Sequence, residues 1–340
     1  MKGTISILVP VFQGRPFVGR CLQSVLQQTY KNIELIVIDD GSTDGTKEFI
    51  ESFETDFADL GMRLVCLRQE NAGQASAINY GLKHVTGDYV AWFDSDDVLQ
   101  PFFAEALISC LNNRPDADFA VGQLAFVNET RPDRVLFIKK RVPPVGYDSF
   151  FDDLLEERNI VFGSGCLVVR KDYLFRRLKN REILTNREGQ NWQLMLPITY
   201  HGKCVYYDAV VAKIFQRPSS HSRHQRTPRQ IIDRYRGFID LLNGTIARMD
   251  YCPESEAKTY KKKVLQVFSE KIFAYAYMHK MIADCEWAYA QMSALQTTTS
   301  QTERERRLLK PNHTLAYWFD RLSKRALRAI RRFAALLRRP

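Results

Sequence analysis

The sequence predicts an α/β protein in which a mostly parallel sheet is flanked by helices and followed by an α-helical C-terminal extension. Two observations carry this prediction. Short β-branched apolar runs alternate with segments of helical apolar spacing, which is typical of parallel strands joined by right-handed crossovers. From Thr227 onward the alternation stops and long helical patterns replace it. A chain of 340 residues is long enough for both parts and for a large apolar core.

Each predicted strand is a run of β-branched or aromatic residues, and each predicted helix carries apolar residues three and four positions apart. The first elements are strand 4–11, helix 16–28, strand 33–38, helix 46–57, strand 64–67, helix 75–84 and a strand that ends at Asp94. Next come helix 102–111, a turn and strand over 115–127, strand 134–138, a glycine-bearing strand 162–170, a closing strand 203–215, and helices 228–249 and 254–295.

Acidic residues directly follow two of these strands. The strand that begins at Tyr89 runs into Asp94, Asp96 and Asp97. The strand 33–38 runs into a second acidic turn. Ligands of parallel sheets gather at the carboxyl ends of the strands, where clustered carboxylates can hold a divalent cation and its diphosphate. A solvated acidic turn is the alternative, since a D-x-D triplet alone has many chance matches.

Six short motifs occur in order within the first third of the chain. They are V-P-V-F at 9–12, the stretch 21–28 leading to Tyr30, I-D-D-G-S-T-D-G-T at 38–46, N-A-G-Q-A-S-A-I-N-Y-G-L at 71–82, G-D-Y-V at 87–90 and F-D-S-D-D at 93–97. In order and spacing they resemble the glycosyltransferases of family 2, which have the Rossmann-like GT-A fold. That family transfers a sugar from a nucleotide-diphosphate donor with inversion at the anomeric carbon.

The resemblance implies a metal-dependent transferase that uses Mn²⁺ or Mg²⁺ and a nucleotide-sugar, with a UDP-sugar favoured. Asp96 would bind the metal ion, and Asp94 would contact the ribose or share the metal, with Ser95 between them. Asp97 is a further candidate. Asp39 would accept a hydrogen bond from the ring N–H of uracil, with Asp40 as its substitute. The metal ion would neutralise the leaving diphosphate as a Lewis acid.

Further residues of the motifs are expected to line the nucleotide site: Pro10, Val11, Phe12, Asn71, Gly73 and Asn79. For Asn71, Gly73 and Asn79, a helix cap or a packing contact is an equal alternative. By resemblance, His221 in the segment R-P-S-S-H-S-R-H at 217–224 would add a metal ligand or a hydrogen bond to phosphate. A basic surface loop is the alternative there.

Inverting transfer needs a general base that takes the proton of the acceptor hydroxyl. Many family members carry an acidic pair just before an aromatic-rich helix, but here Gln190 and Asn191 occupy that catalytic position, next to Trp192. An amide cannot accept the proton. Glu188 is the nearby carboxylate and is the predicted base, with salt bridging or helix capping as the alternative.

The missing acidic pair leaves a second class open, a non-catalytic relative that binds a nucleotide or glycan. A sugar nucleotidyltransferase is a third class. Such enzymes usually carry a glycine-rich N-terminal loop with a basic residue, whereas the loop after Val11 offers only Gly14 and Arg15. We therefore predict a GT-A domain over residues 1–226, a helical extension over 227–300, and a linker with a basic amphipathic helix over 301–340.

The end of the chain is strongly basic. Residues 321–340 contain eight Arg or Lys and no acid, in a chain of formal net charge +10. Apolar residues recur there every three or four positions: Leu315, Phe319, Leu322, Ala326, Ile330, Phe333 and Leu337. This pattern predicts that 315–340 binds an anionic membrane surface, with Tyr317 and Trp318 at the interface. An acidic protein partner or a solvated helix is the alternative, and nucleic acid is not expected.

The sequence shows neither a secretory signal pattern nor an apolar run of the roughly 18 residues that a membrane span needs. Its seven cysteines are scattered singly, which is typical of reduced core residues. A cytoplasmic protein, peripheral on the inner face of the cell membrane, is therefore expected. Its acceptor would be a glycan, a lipid-linked glycan or a cell-envelope polymer. The sequence does not predict an oligomeric state.

Overall fold

The computed structural model describes residues 3–142, 149–185, 189–217, 226–310, 313, 316–324 and 326. The chain forms two compact units. Unit 1 comprises Met1–His224 and Leu241–Ala257, and unit 2 comprises Gln225–Asp240 and Lys258–Pro340. None of the helices in these described ranges has the length and hydropathy that crossing a bilayer requires.

One sheet of nine strands, counted over the described residues, forms the centre of unit 1. The strands are β1 (Ile5–Val11), β2 (Ile33–Asp39), β3 (Arg63–Arg68), β4 (Tyr89–Trp92), β5 (Val98–Leu99), β6 (Phe119–Asn128), β7 (Arg131–Lys139), β8 (Leu167–Arg170) and β9 (Cys204–Gln216). Their order is β3-β2-β1-β4-β8-β6-β9-β5, and β7 pairs with β6.

The first four strands of this order are parallel, as the sequence predicts. Beyond β4 the sheet is mixed: β8 is antiparallel to both neighbours, β9 is parallel to β6, and β5 is antiparallel to β9. The hairpin of β6 and β7 ends beside β9, because Asn128 pairs with Gln216. The α/β class with a helical C-terminal region is thus confirmed.

The described part of the chain contains twelve α-helices before residue 310. They are α1 (Val18–Leu26), α2 (Thr46–Glu51), α3 (Glu54–Asp59), α4 (Gln74–Leu82), α5 (Phe103–Asn113), α6 (Phe150–Glu156), α7 (Lys171–Arg177), α8 (Gln190–Thr199), α9 (Pro228–Arg248), α10 (Glu254–His279), α11 (Ile282–Ala294) and α12 (Ser300–Leu308). Residues 316–324 are also helical.

The central strands β1 and β2 are buried along their whole length. Their near-continuous apolar sequences follow from this, because a strand covered on both faces has no solvent side. Helix α4 packs closely on them, since a Cβ at Gly81 would lie 2.7 Å from Ile38 Cδ1 and 2.9 Å from Leu8 Cδ2. Because α4 follows β3 directly, its N-terminus lies at the carboxyl edge of the parallel strands.

Several predicted boundaries differ from the structure. The predicted helix 46–57 is two helices, α2 and α3, and the predicted helix 254–295 is α10 and α11, with Lys280 between them in the left-handed region (φ 56°). The predicted strand 162–170 begins only at Leu167, because Gly163 (φ 153°) and Gly165 (φ 74°) depart from strand geometry.

The predicted linker at the start of 301–340 is instead helical, because α12 covers Ser300–Leu308. Thr299 is the N-cap of α12: its side chain accepts from the N–H of Thr302, and the Thr302 side chain bonds back to the N–H of Thr299. Such a reciprocal capping box satisfies two N–H groups that a helix start otherwise leaves free. Five further elements, β5, α6, α7, α8 and α12, had no counterpart among the predicted elements.

The helical residues 316–324 of unit 2 turn a polar face inward. Tyr317 is fully buried and donates to the backbone oxygen of Tyr277 at 2.8 Å, while the Tyr277 hydroxyl donates to Asp320 Oδ2 at 2.8 Å. The prediction that Tyr317 lies at a membrane interface is therefore wrong. The opposite face is exposed: Trp318 by 44%, Phe319 by 71% and Leu322 by 57%. Residues 327–340 lie outside the described residues.

Candidate active site

The predicted acidic turns meet at the carboxyl edge of the parallel strands. Val11 at the end of β1 is in register with Asp39 at the end of β2, and Leu8 is in register with Trp92 at the end of β4. Asp94 follows β4 by two residues. The sheet therefore brings both acidic segments and the start of α4 to one place.

Asp39 is fully buried and is only partly satisfied by the protein. Its Oδ1 accepts from the N–H of Ser42 at 3.0 Å. Its Oδ2 lies 3.2 Å from Arg68 Nη1 in an ion pair but accepts no hydrogen bond. A buried acceptor without a donor is costly, so this oxygen is a candidate to receive a hydrogen bond from a ligand.

Asp40, by contrast, is saturated. Its two oxygens accept from Gln69 Nε2 at 2.7 Å, from the N–H of Ala72 at 2.9 Å and from the N–H of Gly73 at 2.8 Å. These bonds fix the loop that leads into α4. These contacts favour a role of Asp40 in fixing the conformation of this loop over direct recognition of a nucleobase.

The other predicted nucleotide residues differ in their surroundings. Phe12 is 52% exposed at the end of β1, whereas Pro10 and Val11 are buried within that strand. Gly73 (φ 92°) has open space where a Cβ would stand, and Asn71 beside it is exposed. These positions leave room for a ligand above the strand ends.

Asn79 makes a packing contact, the alternative that its sequence left open. Its Nδ2 donates to the backbone oxygen of Ile183 and its Oδ1 accepts from the N–H of Ile183, both at 2.8 Å. The Asn79 side chain thus pairs with both backbone groups of Ile183, as the backbone of a neighbouring strand would. Because both ends of the amide are engaged, Asn79 has little capacity left for a nucleotide.

The second acidic segment, which contains Asp94, Asp96 and Asp97, brings like charges close together. Asp94 accepts from Gln74 Nε2 at 3.0 Å and from Ser164. Burial, and secondly repulsion from Asp96, raise the pKa of Asp94 to about 6. A buried carboxylate whose ionisation is disfavoured by a neighbouring carboxylate marks a site at which a cation is stabilising.

Arg217, directly after β9, lies against this segment and was not among the predicted site residues. Its Nη2 is 2.7 Å from Asp96 Oδ2, its guanidinium lies 3.8 Å from the ring centroid of Phe17, and its buried Nη1 makes no hydrogen bond. Asp97 holds the same strand end, since its Oδ1 accepts from the N–H of Phe215 at 2.7 Å. Burial and then repulsion from its acidic neighbours raise the pKa of Asp97 well above the usual range.

The donor set fits a hard divalent cation whose remaining ligands come from a diphosphate. Within the described residues no group of three His, Cys, Asp or Glu side chains could hold a metal. Mg²⁺ sites, however, commonly use one or two carboxylates together with substrate phosphates and water. Asp94 and Asp96 can supply these carboxylates. His221, the predicted third ligand, lies outside the described residues.

Helix α8 and the glycine-bearing segment before β8 both contact the end of β4. Asn191, in the first turn of α8, accepts from Trp92 Nε1 at 2.8 Å, so its oxygen is already used to pack α8 on β4. Gly165 admits the ring of Phe93, which would lie 2.7 Å from a Cβ there. Glu188, the predicted base, lies outside the described residues.

Three residues that the sequence did not single out complete the geometry: Gln74, Ser164 and Arg217. Each had a local signal. Gln74 opens the helix of the longest motif, Ser164 stands between two glycines, and Arg217 is a basic residue at the end of a strand.

The strand ends thus gather a buried acceptor and a pair of carboxylates at one edge of a mixed α/β sheet. The model of the family described as Glycosyl transferase family 2 matches residues 6–179. The chain belongs to this family, which confirms the resemblance seen in the motifs.

Among the relatives, the glycosyltransferase GlyA of Streptococcus pneumoniae serotype 4 is 38% identical over 126 residues, covering 37% of this chain and 17% of that protein. GlyG of the same organism is 36% identical over 123 residues, covering 36% of this chain and 39% of that protein. The matched segment thus spans well under half the length of these relatives.

Solved structures of similar fold cover nearly the whole chain. S. aureus TarS in complex with UDP-GlcNAc has a TM-score of 0.61 at 16% identity and covers 94% of this chain and 89% of that chain. The mannosyltransferase PcManGT from Pyrobaculum calidifontis, in complex with GDP-Man and Mn²⁺, has a TM-score of 0.50 at 17% identity, covering 95% and 87%. At such identities the likeness concerns the fold.

Proposed function

We propose that the protein is a metal-dependent, inverting glycosyltransferase that takes a sugar from a UDP-sugar. One observation carries the proposal. A buried oxygen of Asp39 without a hydrogen-bond donor lies at the same sheet edge as the crowded carboxylates Asp94 and Asp96. The first suits the N–H of a uracil ring, and the second suits the cation that accompanies a diphosphate. The complexes of TarS with UDP-GlcNAc and of PcManGT with GDP-Man and Mn²⁺ support it.

In this mechanism Asp96 and Asp94 would hold the cation, which would supply Lewis-acid stabilisation to the leaving diphosphate. Arg217 adds positive charge beside it, because its Nη1 has no protein partner and can donate to a phosphate oxygen. The acceptor hydroxyl attacks from the side of α8. Glu188 is the proposed base, since the Asn191 oxygen is bonded to Trp92 and an amide takes no proton.

The proposal is tested by measuring nucleoside diphosphate release from UDP-, GDP- and TDP-sugars, with and without Mn²⁺, in the presence of lipid extracts as acceptor source. We expect manganese-dependent turnover of one UDP-sugar. Binding of UDP without turnover under any of these conditions would instead support the non-catalytic relative. Preference for a nucleoside triphosphate with a sugar phosphate would identify a nucleotidyltransferase.

Asp39→Asn should change which nucleobase the protein prefers. The amide oxygen of the asparagine can still accept from the N–H of Ser42. Its NH₂ group then faces the nucleobase, where the wild-type protein presents a carboxylate oxygen that accepts. Affinity for UDP should fall about 10- to 100-fold, since a bidentate or buried polar mismatch costs about 1–3 kcal/mol. CDP should gain relative to UDP, because the ring nitrogen of cytosine is an acceptor. Calorimetric titration of both nucleotides measures this ratio. An unchanged ratio would contradict base recognition by Asp39.

The exposed apolar face of residues 316–324 extends the proposal to the acceptor. Trp318, Phe319 and Leu322 are exposed, and residues 321–340 contain eight basic residues and no acid, of which Lys324 pairs with Glu305 and Asp320. Apolar residues flanked by basic ones favour the interface of an anionic bilayer. We propose peripheral attachment to the inner face of the cell membrane, where a lipid-linked glycan or an envelope polymer would be the acceptor.

The double variant Phe319→Asp/Leu322→Asp should weaken binding to vesicles at least tenfold, because two charges replace the apolar surface that enters the interface. Sedimentation with vesicles of phosphatidylcholine, with and without phosphatidylglycerol, measures it. Leu60→Asp in unit 1, where Leu60 is 41% exposed, is the control and should bind like wild type. If the wild type binds neither vesicle type and the double variant changes only the oligomeric state, the exposed apolar face of residues 316–324 is a protein interface.

A further inference from the structure

Arg20 on α1 holds the main chain of the acidic segment. Its Nε donates to the backbone oxygen of Asp96 at 2.7 Å. Its other two nitrogens form a bidentate pair with Glu129, at 2.6 Å from Nη1 and 3.1 Å from Nη2. Both side chains are mostly shielded, with 24% and 26% of their surfaces exposed. All the nitrogens of one guanidinium are therefore engaged.

Glu129 connects this arginine to the far half of the sheet. It directly follows β6, and its N–H donates to the backbone oxygen of Gln216 at 3.2 Å. The guanidinium of Arg20 also lies 4.0 Å from the ring centroid of Phe215. Arg20 thus contacts the end of β9, the tip of the β6–β7 hairpin and the acidic segment at once.

The bond to the Asp96 carbonyl fixes the peptide between Asp96 and Asp97. A fixed peptide plane restricts the directions of both side chains, and Asp97 in turn holds the N–H of Phe215. The planar fork of arginine can satisfy Glu129 and the carbonyl together, whereas the single ammonium of lysine cannot reproduce this geometry. The contact therefore depends on shape as well as on charge.

We infer that Arg20 and Glu129 are positioning residues that orient Asp96 for the divalent cation. The inference rests on the proposed function, because it concerns the same metal site. Groups that hold metal ligands in place typically contribute about 10- to 100-fold to metal affinity. Neither residue needs to touch the cation, the nucleotide or the sugar for this effect.

Arg20→Lys and Glu129→Gln test the inference through Mn²⁺ binding in the presence of UDP, followed by electron paramagnetic resonance, together with thermal melting. Arg20→Lys should raise the dissociation constant for Mn²⁺ about tenfold, and Glu129→Gln less, because the bond to Asp96 remains. If the pair acts as a unit, the double variant should bind Mn²⁺ about as weakly as Arg20→Lys alone. The control is Arg114→Lys, whose partner Asp116 forms an exposed pair at 3.0 Å.

The outcomes separate the two proposals. Loss of Mn²⁺ binding in Asp96→Asn together with wild-type binding in Arg20→Lys overturns the positioning role and leaves the proposed function standing. A lower melting temperature in Arg20→Lys with unchanged Mn²⁺ binding also overturns it, since the pair would then be only structural. If the wild type binds no Mn²⁺ with UDP, the metal-dependent function fails first.

Discussion

Asp96→Asn should lower sugar transfer by about 10³-fold or more, because in the proposed mechanism it removes the charge that would hold the cation beside the leaving diphosphate. Asparagine keeps the size of the side chain, so the loop around it should fold as in the wild type. The ion pair with Arg217 is also lost, which leaves that arginine without its carboxylate partner. Activity and Mn²⁺ affinity should therefore fall together.

Steady-state release of nucleoside diphosphate over a range of Mn²⁺ concentrations measures this effect. Asp59→Asn, on an exposed carboxylate at the end of α3, is the matched control and should retain full activity. Circular dichroism of both variants confirms folding. Activity of Asp96→Asn within tenfold of wild type would show that this carboxylate does not carry the metal.

Asp153→Ala should destabilise unit 1 by about 3–5 kcal/mol, because it leaves a buried positive charge without its counterion. The side chains of Arg141 and Asp153 are exposed by only 0% and 2% and form an ion pair. Arg141 Nε also donates to the Tyr206 hydroxyl at 2.8 Å. The pair thus joins the segment after β7 and helix α6 to strand β9.

Denaturant unfolding measures the loss. Asp116→Ala removes one partner of the exposed pair with Arg114 and should change stability by no more than about 1 kcal/mol. Arg141→Met/Asp153→Leu should recover part of the loss, since replacing both partners leaves no isolated charge. Equal stability of Asp153→Ala and Asp116→Ala would contradict the importance of burial.

The parallel half of the sheet could be predicted because its strands are local patterns. Residues 5–11 and 33–39 are mostly apolar, and turn residues follow each of them. The antiparallel half could not, since the pairing of β8 with β4 and β6 depends on contacts far apart in sequence. Helix α6 had a usable signal, because Ser149 caps it by accepting from the N–H of Asp152.

The candidate site also has a part that the sequence could predict and a part that it could not. The acidic residues belong to motifs, and their positions at the strand ends follow from the topology. The partners that orient them come from elsewhere: Arg20 is 76 residues from Asp96 and 109 from Glu129 in sequence. Helical periodicity identified the apolar face at the C-terminal end, but it could not show that Tyr317 packs against Tyr277.

Two buried amides have a consequence for engineering. Asn79 bonds both backbone groups of Ile183, and Gln193 on α8 bonds both backbone groups of Leu184. The chain is thus anchored immediately before the positions that lead to Gly189 and α8. Engineered variants of this part of the chain should therefore keep both amides, because replacing either one leaves the backbone N–H and carbonyl of Ile183 or Leu184 without these partners.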